Sequence, residues 1–243
     1  MMLSTIRRSA KQATVRNLSR RMMSSVSGTV SGLDARVCSV LGGQWGDEGK
    51  GKLADVLAKN YDVVCRFNGG ANAGHTVIAD GRKFAFHLLP CGLIYPHTQN
   101  ILGNGTVVHL PGLFEETEPL DEAGIEWRGR LFISNRAHML FDFHQIIDGI
   151  NEERLAGVDG SGMTIGTTRK GIGPAYTAKM SRQGLRFGDL AGSWEVFEKN
   201  FRKTVVAHQL MFDFEYDVQA EVCRDPSACH MNSCSVIIFY CIA

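Results

Sequence analysis

A chain of 243 residues is long enough for one large or two small domains around a substantial core. With 26 Lys and Arg against 25 Asp and Glu, its net charge of +1 gives no electrostatic footing for nucleic acid or a membrane surface, so a small molecule is the expected partner. Many of its 27 glycines gather at 42–51, 69–74, 103–105 and 157–173, as they would where backbone must approach a ligand.

Residues 1–33 hold Arg7, Arg8, Lys11, Arg16, Arg20 and Arg21 with many hydroxyls, and no acid precedes Asp34. That is the composition of an organelle transit peptide, shared by a disordered basic tail, and it lacks the apolar core of a secretory signal. Arg36 to Leu41 then reads as a short buried strand, and Leu53 to Ala58 repeats apolar positions at helical spacing. Between them Gly42-Gly43-Gln44-Trp45-Gly46-Asp47-Glu48-Gly49-Lys50-Gly51-Lys52 forms a glycine turn running into a helix start, where amides and the helix field favour phosphate. Gly46 to Lys52 fits the pattern G-x-x-x-x-G-K, yet Leu53 stands where a hydroxyl would ligate magnesium. Asp47 is the nearest replacement oxygen. A plain turn with solvated charges is the alternative, and two adjacent acids in an anion loop make it the weaker one.

A second strand, Asp62 to Phe67, runs into Asn68-Gly69-Gly70-Ala71-Asn72-Ala73-Gly74-His75-Thr76. Ligands of open α/β sheets sit outside the carboxyl ends of strands, so the two loops are expected to face one crevice, with His75 a candidate for catalysis or phosphate contact. Lone loop histidines are more often solvated surface residues. Lys83 to Leu89 reads as a strand after the Asp80-Gly81 turn, with His87 and His97 structural. Asn100 to Leu110 gives two apolar runs around a glycine turn, Pro111-Gly112 opens a helix over Leu113 to Ala123, and Leu131 to Ser134 is a further strand. Arg136 to Leu155 reads as a packed helix carrying His138, Asp142, His144 and Asp148, whose spacing lacks an H-E-x-x-H metal set.

A third loop, Gly162 to Tyr176, combines hydroxyls, Arg169-Lys170 and glycines, which suits a phosphate monoester. Beyond it Lys179, Arg182 and Arg186 form either a solvated face or a phosphate contact. After Trp194 a helical pattern runs through Phe197, Phe201, Val205, Val206, Leu210 and Phe214. The chain changes character near Val222, and its apolar end is too short to span a membrane. Cys38, Cys65 and Cys91 read as buried thiols; Cys223, Cys229, Cys234 and Cys241 with His230 contain no C-x-x-C pair, against a zinc site. The predicted fold is α/β and P-loop-NTPase-like: a mostly parallel central sheet flanked by helices, incomplete at its C-terminal side.

In order, WGDEGKGK at 45–52, GGANAGHT at 69–76, GNGTVVHLPGL at 103–113, and IGTTRKGIGPAY with GLRFGDL between 165 and 190 resemble the adenylosuccinate synthetase family over about residues 36–222. The resemblance implies a ligase of purine nucleotide biosynthesis that joins IMP to L-aspartate with GTP and magnesium. It makes Asp47 the base at N1 of IMP and a magnesium ligand together with the Gly74 carbonyl, and His75 the acid assisting phosphoryl transfer to O6. Gly46, Asp47, Glu48, Gly49, Lys50, Gly51, Lys52, Gly74, His75 and Thr76 would hold GTP. Asp47, Glu48, Gly49, Lys50, Asn72, Ala73, Gly74, His75 and Thr168 would hold IMP, with Arg182 reaching the IMP phosphate of a neighbouring subunit in a homodimer. The order Arg169-Lys170 departs from the family's more usual one. The expected organisation is a basic extension at 1–33, a family domain at 34–222 and an atypical tail at 223–243, in the cytoplasm or, if 1–33 acts as a transit peptide, in a mitochondrion or plastid. Guanine and aspartate motifs of the family have no counterpart here, so a truncated chain, inactive alone, is expected. A non-catalytic IMP-binding or subunit-pairing fragment is the alternative, and the missing hydroxyl after Lys52 speaks against an unrelated P-loop NTPase.

Overall fold

The computed structural model describes residues 36–43, 49–79, 81–158, 166–223 and 237–239. Helix α1 (Lys50–Ala58) leads to strand β1 (Val63–Arg66). The hairpin of β2 (His75–Ala79) and β3 (Arg82–Phe86) follows, then a 3-10 turn at Cys91–Ile94 and strands β4 (Gln99–Leu102) and β5 (Val107–His109). Next come helix α2 (Leu110–Glu122), strands β6 (Leu131–Ser134) and β7 (His138–Leu140), and helices α3 (Asp142–Val158) and α4 (Ile172–Met180). Helices α5 (Phe187–Leu190), α6 (Trp194–Gln209) and α7 (Val218–Cys223) precede β8 (Ile237–Phe239).

Strands β1, β4, β6 and β8 lie side by side in that order, each neighbouring pair parallel. The ends of β1, β4 and β6 therefore release their loops along one edge of the sheet, the edge where α/β proteins bind ligands. A second parallel pair, β5 with β7, continues from that edge, and β2 with β3 is antiparallel. The expected α/β fold with a mostly parallel sheet is the one observed. Strand β6 is buried at all four residues, as an apolar run in a parallel sheet requires. Around it pack Phe86, Leu102, Leu113, Leu120, Phe143 and Phe187, all buried.

Helix α6 buries Phe197, Phe201, Val205 and His208, one stripe at helical spacing. Val206 and Leu210, expected on the same face, are exposed because they stand one residue past Val205 and two past His208, off that stripe. Helix α2 starts where its sequence suggests: His109 caps it by accepting from the Gly112 amide at 3.3 Å through Nδ1. Its other nitrogen, which therefore carries the proton, donates to Asp142 at 2.8 Å.

Three expectations need correction. Residues 36–43 form no strand, and Val37 and Leu41 are 84% and 69% exposed. An apolar, β-branched run becomes a strand only by pairing, and none of the described ladders includes this one. The helix expected from Arg136 begins at Asp142, since His138–Leu140 pair with β5 instead. Of the three thiols expected to be buried only Cys91 is, and burial with the nearby Asp55 charge pushes it up to about 11; Cys65 is exposed.

Two buried histidines set an acid limit. His144 accepts from the Phe141 amide at 3.0 Å and packs on the Phe143 ring, and burial, aided by His208 and His109, lowers its pKa from 6.5 to about 3. Burial, with Lys179 and Arg186 adding to it and Asp189 opposing, lowers His138 to about 4. Both rings take up protons more readily in the unfolded chain, so their neutral packing contributes fully above pH 6.5 and is lost as pH falls toward 4 and 3. Each should make stability fall by up to about 1.4 kcal/mol per pH unit in that window. Urea unfolding should show a lower midpoint at about pH 5 than at about pH 7.5, and replacing His144 with Phe should shrink the difference to the part that His138 contributes.

Candidate functional site

Between β1 and β2 the loop Asn68 to Gly74 is held by donors from several segments. Gly69 O accepts from the Val107 amide at 2.9 Å, Ala71 O from Lys170 Nζ at 2.8 Å, and Ala73 O from His87 Nδ1 at 2.6 Å. Arg66 donates to Asn68 O at 3.3 Å and to Gly70 O. The Asn72 side chain turns back on its own loop, accepting from the Gly70 amide at 3.1 Å. At Gly70 a Cβ would collide with the Ile172 side chain and lie 2.9 Å from Val107 Cγ2, so only glycine lets this loop, β5 and α4 meet. The Tyr176 hydroxyl joins two loops at once, accepting from the Gly69 amide and donating to Gly105 O, both at 2.7 Å.

The third loop is anchored from below by α3. His144, Asp148 and Glu152 form a buried polar stripe one helical turn apart. Asp148 accepts from the Gly171 amide at 2.9 Å and Glu152 from the Gly166 amide at 3.3 Å. Gly171 has a left-handed φ of 72° and sits so close to α3 that a Cβ would lie 2.8 Å from the Gln145 nitrogen. Lys179 reaches Asn104 O at 3.0 Å, so the second and third loops and the turn after β4 form one connected rim.

The predicted site residues divide clearly. Gly46, Asp47 and Glu48 lie outside the described residues, as do residues 1–33, 162–165 and the tail cysteines between 224 and 236. Gly49 is left-handed (φ 78°) and its carbonyl accepts from the Lys52 and Leu53 amides, starting α1 without a side-chain cap. Lys52 is exposed and Lys50 and Gly51 half-buried. Helix α1 packs beside β2, which His75 and Thr76 open through their backbone, so the first loop's helix adjoins the end of the second loop. Asn72, Ala73 and Gly74 belong to the anchored loop; Thr168 is exposed in the third.

Arg182, at a left-handed φ of 63°, stands apart, lining a recess of about 310 Å³ with His138, Lys179, Gly184, Arg186 and Asp189. Burial and the Arg186 charge lower the Lys179 pKa. Sequence reasoning missed the holders Arg66, Glu116 and Glu152, while Tyr176, read there as an anchor of the third loop, is one. Only the cluster of glycines signalled that such holders must exist.

Glycine loops held at the carboxyl edge of a mostly parallel sheet define an α/β protein. Comparison with known proteins narrows this. The profile of the adenylosuccinate synthetase family matches residues 39–231, and the chain belongs to that family. It is 52% identical over 191 residues to adenylosuccinate synthetase of Candida glabrata, covering 76% of this chain and 44% of that protein. It is 53% identical over 190 residues to the chloroplastic enzyme of Ostreococcus tauri, covering 77% and 38%. The solved structure of a fully ligated adenylosuccinate synthetase from Plasmodium falciparum superposes with a TM-score of 0.71 at 43% identity, covering 81% of this chain and 45% of that one. The chain thus spans less than half the length of these relatives.

Replacing Tyr176 with Phe keeps the ring and removes both hydroxyl bonds, leaving the Gly69 amide and Gly105 carbonyl without that partner. The expected loss is about 1–3 kcal/mol of stability, measured by urea unfolding.

Proposed function

We propose that these residues carry the phosphate-handling part of a GTP-dependent ligase that joins IMP to L-aspartate, giving adenylosuccinate. The observation that carries this reading is the joining of the second and third glycine loops and the turn after β4 into one rim within a chain of this family. Gly46 to Lys52 and Gly74 to Thr76 receive the GTP phosphates. Asn72 to His75 and Thr168 receive IMP with Asp47 to Lys50. Arg182 serves the IMP phosphate of a second subunit in a homodimer, which its exposed place among Lys179 and Arg186 supports.

Asp47 is the base at N1 of IMP, and His75 is the acid beside O6. Phosphoryl transfer depends on positioning and charge neutralisation, and rigid backbone loops supply the first of these. Magnesium, a hard cation, suits an all-oxygen donor set of the Asp47 carboxylate and the Gly74 carbonyl, the latter on an exposed loop. When bound it would neutralise phosphate charge. Residues 34–222 form the family domain, with 1–33 as an added basic extension whose acid-free composition suits an organelle address.

For the 243-residue chain the expected behaviour is binding without turnover. Calorimetry should give heat for IMP, weakened by roughly tenfold or more in Asp47→Asn as a charge-assisted bond is lost. No adenylosuccinate should form from IMP, GTP and aspartate. Absence of IMP heat would sink the binding assignment, and measurable product would sink the expectation of inactivity.

A further inference from the structure

Arg66 ends β1 and takes no part in the roles assigned above, yet its guanidinium makes the densest set of contacts around the second loop. Nε donates to Asn68 O at 3.3 Å; Nη2 donates to Gly70 O and, at 3.4 Å, to Asn72 Oδ1. Nη1 donates the other way, to His87 O at 2.5 Å and Leu88 O at 3.1 Å. The segment it grips there is gripped again from the opposite side. Glu116 of α2 accepts from the amides of His87 at 3.1 Å, Leu88 at 2.9 Å and Leu89 at 3.0 Å. Arg66 thus takes carbonyls and Glu116 takes amides of the same peptides, and His87 in turn holds Ala73 O.

The arrangement has a direction. Five carbonyls of residues 68–73 are committed to named donors, while the amides of residues 71–74 donate to nothing among the described residues. A loop with its carbonyls committed has amides left to offer an anion. A planar fork with donors on two sides bridges two segments in a way that the point charge of a lysine does not.

We propose that Arg66, braced by Glu116 through the His87–Leu88 peptides, is a positioning residue that sets the backbone of residues 68–74 for a phosphate-bearing substrate. The claim about loop geometry stands by itself; its consequence for substrate rests on the function proposed above.

Amide hydrogen exchange on the full chain tests the first part and calorimetry with IMP the second. In Arg66→Lys the hydrogen-bonded loop amides, those of Gly69 and Gly70, should exchange about tenfold faster or more while those of β6 keep their protection. Glu116→Gln leaves Arg66 in place but removes part of the carboxylate brace, and should give the same pattern at smaller amplitude. IMP affinity should fall about tenfold in Arg66→Lys. Unchanged exchange in the loop, or an equal rise in β6, would overturn the positioning role. If the loop responds but the unmodified chain gives no IMP heat, the positioning role stands and the substrate assignment fails. If the unmodified chain binds IMP and Arg66→Lys binds it equally well, the substrate consequence fails.

Discussion

A glycine-rich loop has little side-chain packing to hold its shape, so its backbone must be held by hydrogen bonds from elsewhere. In this chain the loop after β1 meets that requirement almost group by group: Val107 supplies an amide, Lys170 an ammonium, His87 an imidazole and Arg66 a guanidinium. The donors come from β5, the third loop, the segment after β3 and β1 itself. Each element is therefore placed relative to the others by what the loop needs, and the rim inherits its rigidity from that common demand. Close approach completes it, because Gly70, Gly105 and Gly171 sit where a Cβ would strike neighbouring atoms.

The same logic explains how much was legible in advance. Glycine clusters reveal where backbone must come close, so the second loop, the strand β1 before it and the α/β class were readable from local pattern. The anchors were not, because Arg66 and Glu116 reach the His87 backbone, and Asp148 reaches Gly171, across stretches of chain with no periodic relation. An acid such as Glu116 on an amphipathic helix looks like any solvated residue until the peptides that bind it are in place. The stripe His144, Asp148 and Glu152 showed helical spacing, but the same spacing serves a metal, a surface or a clamp. Its partners, the Gly166 and Gly171 amides, identify it as a clamp.

Where expectation failed, partners decided the outcome. Arg36 to Leu41 has the composition of a strand, yet strand formation is a property of a pair, and the described ladders join β6 to β4 and β8. Ile237–Phe239, in a stretch without family character in its sequence, gains a strand by finding such a ladder. Family membership and local fold are thus carried by different evidence: motifs place the loops, and pairing places the strands.

The Tyr176 hydroxyl also has a consequence in time. It ties Gly69 and Gly105 together from a position 107 and 71 residues further along. Closing such long loops is entropically slow, and during synthesis the clamp is absent until residue 176 has emerged. The sheet's first strands can pair well before then. The rim is in this sense a late product of folding, finished after the scaffold that supports it and open to proteases or chaperones in the interval.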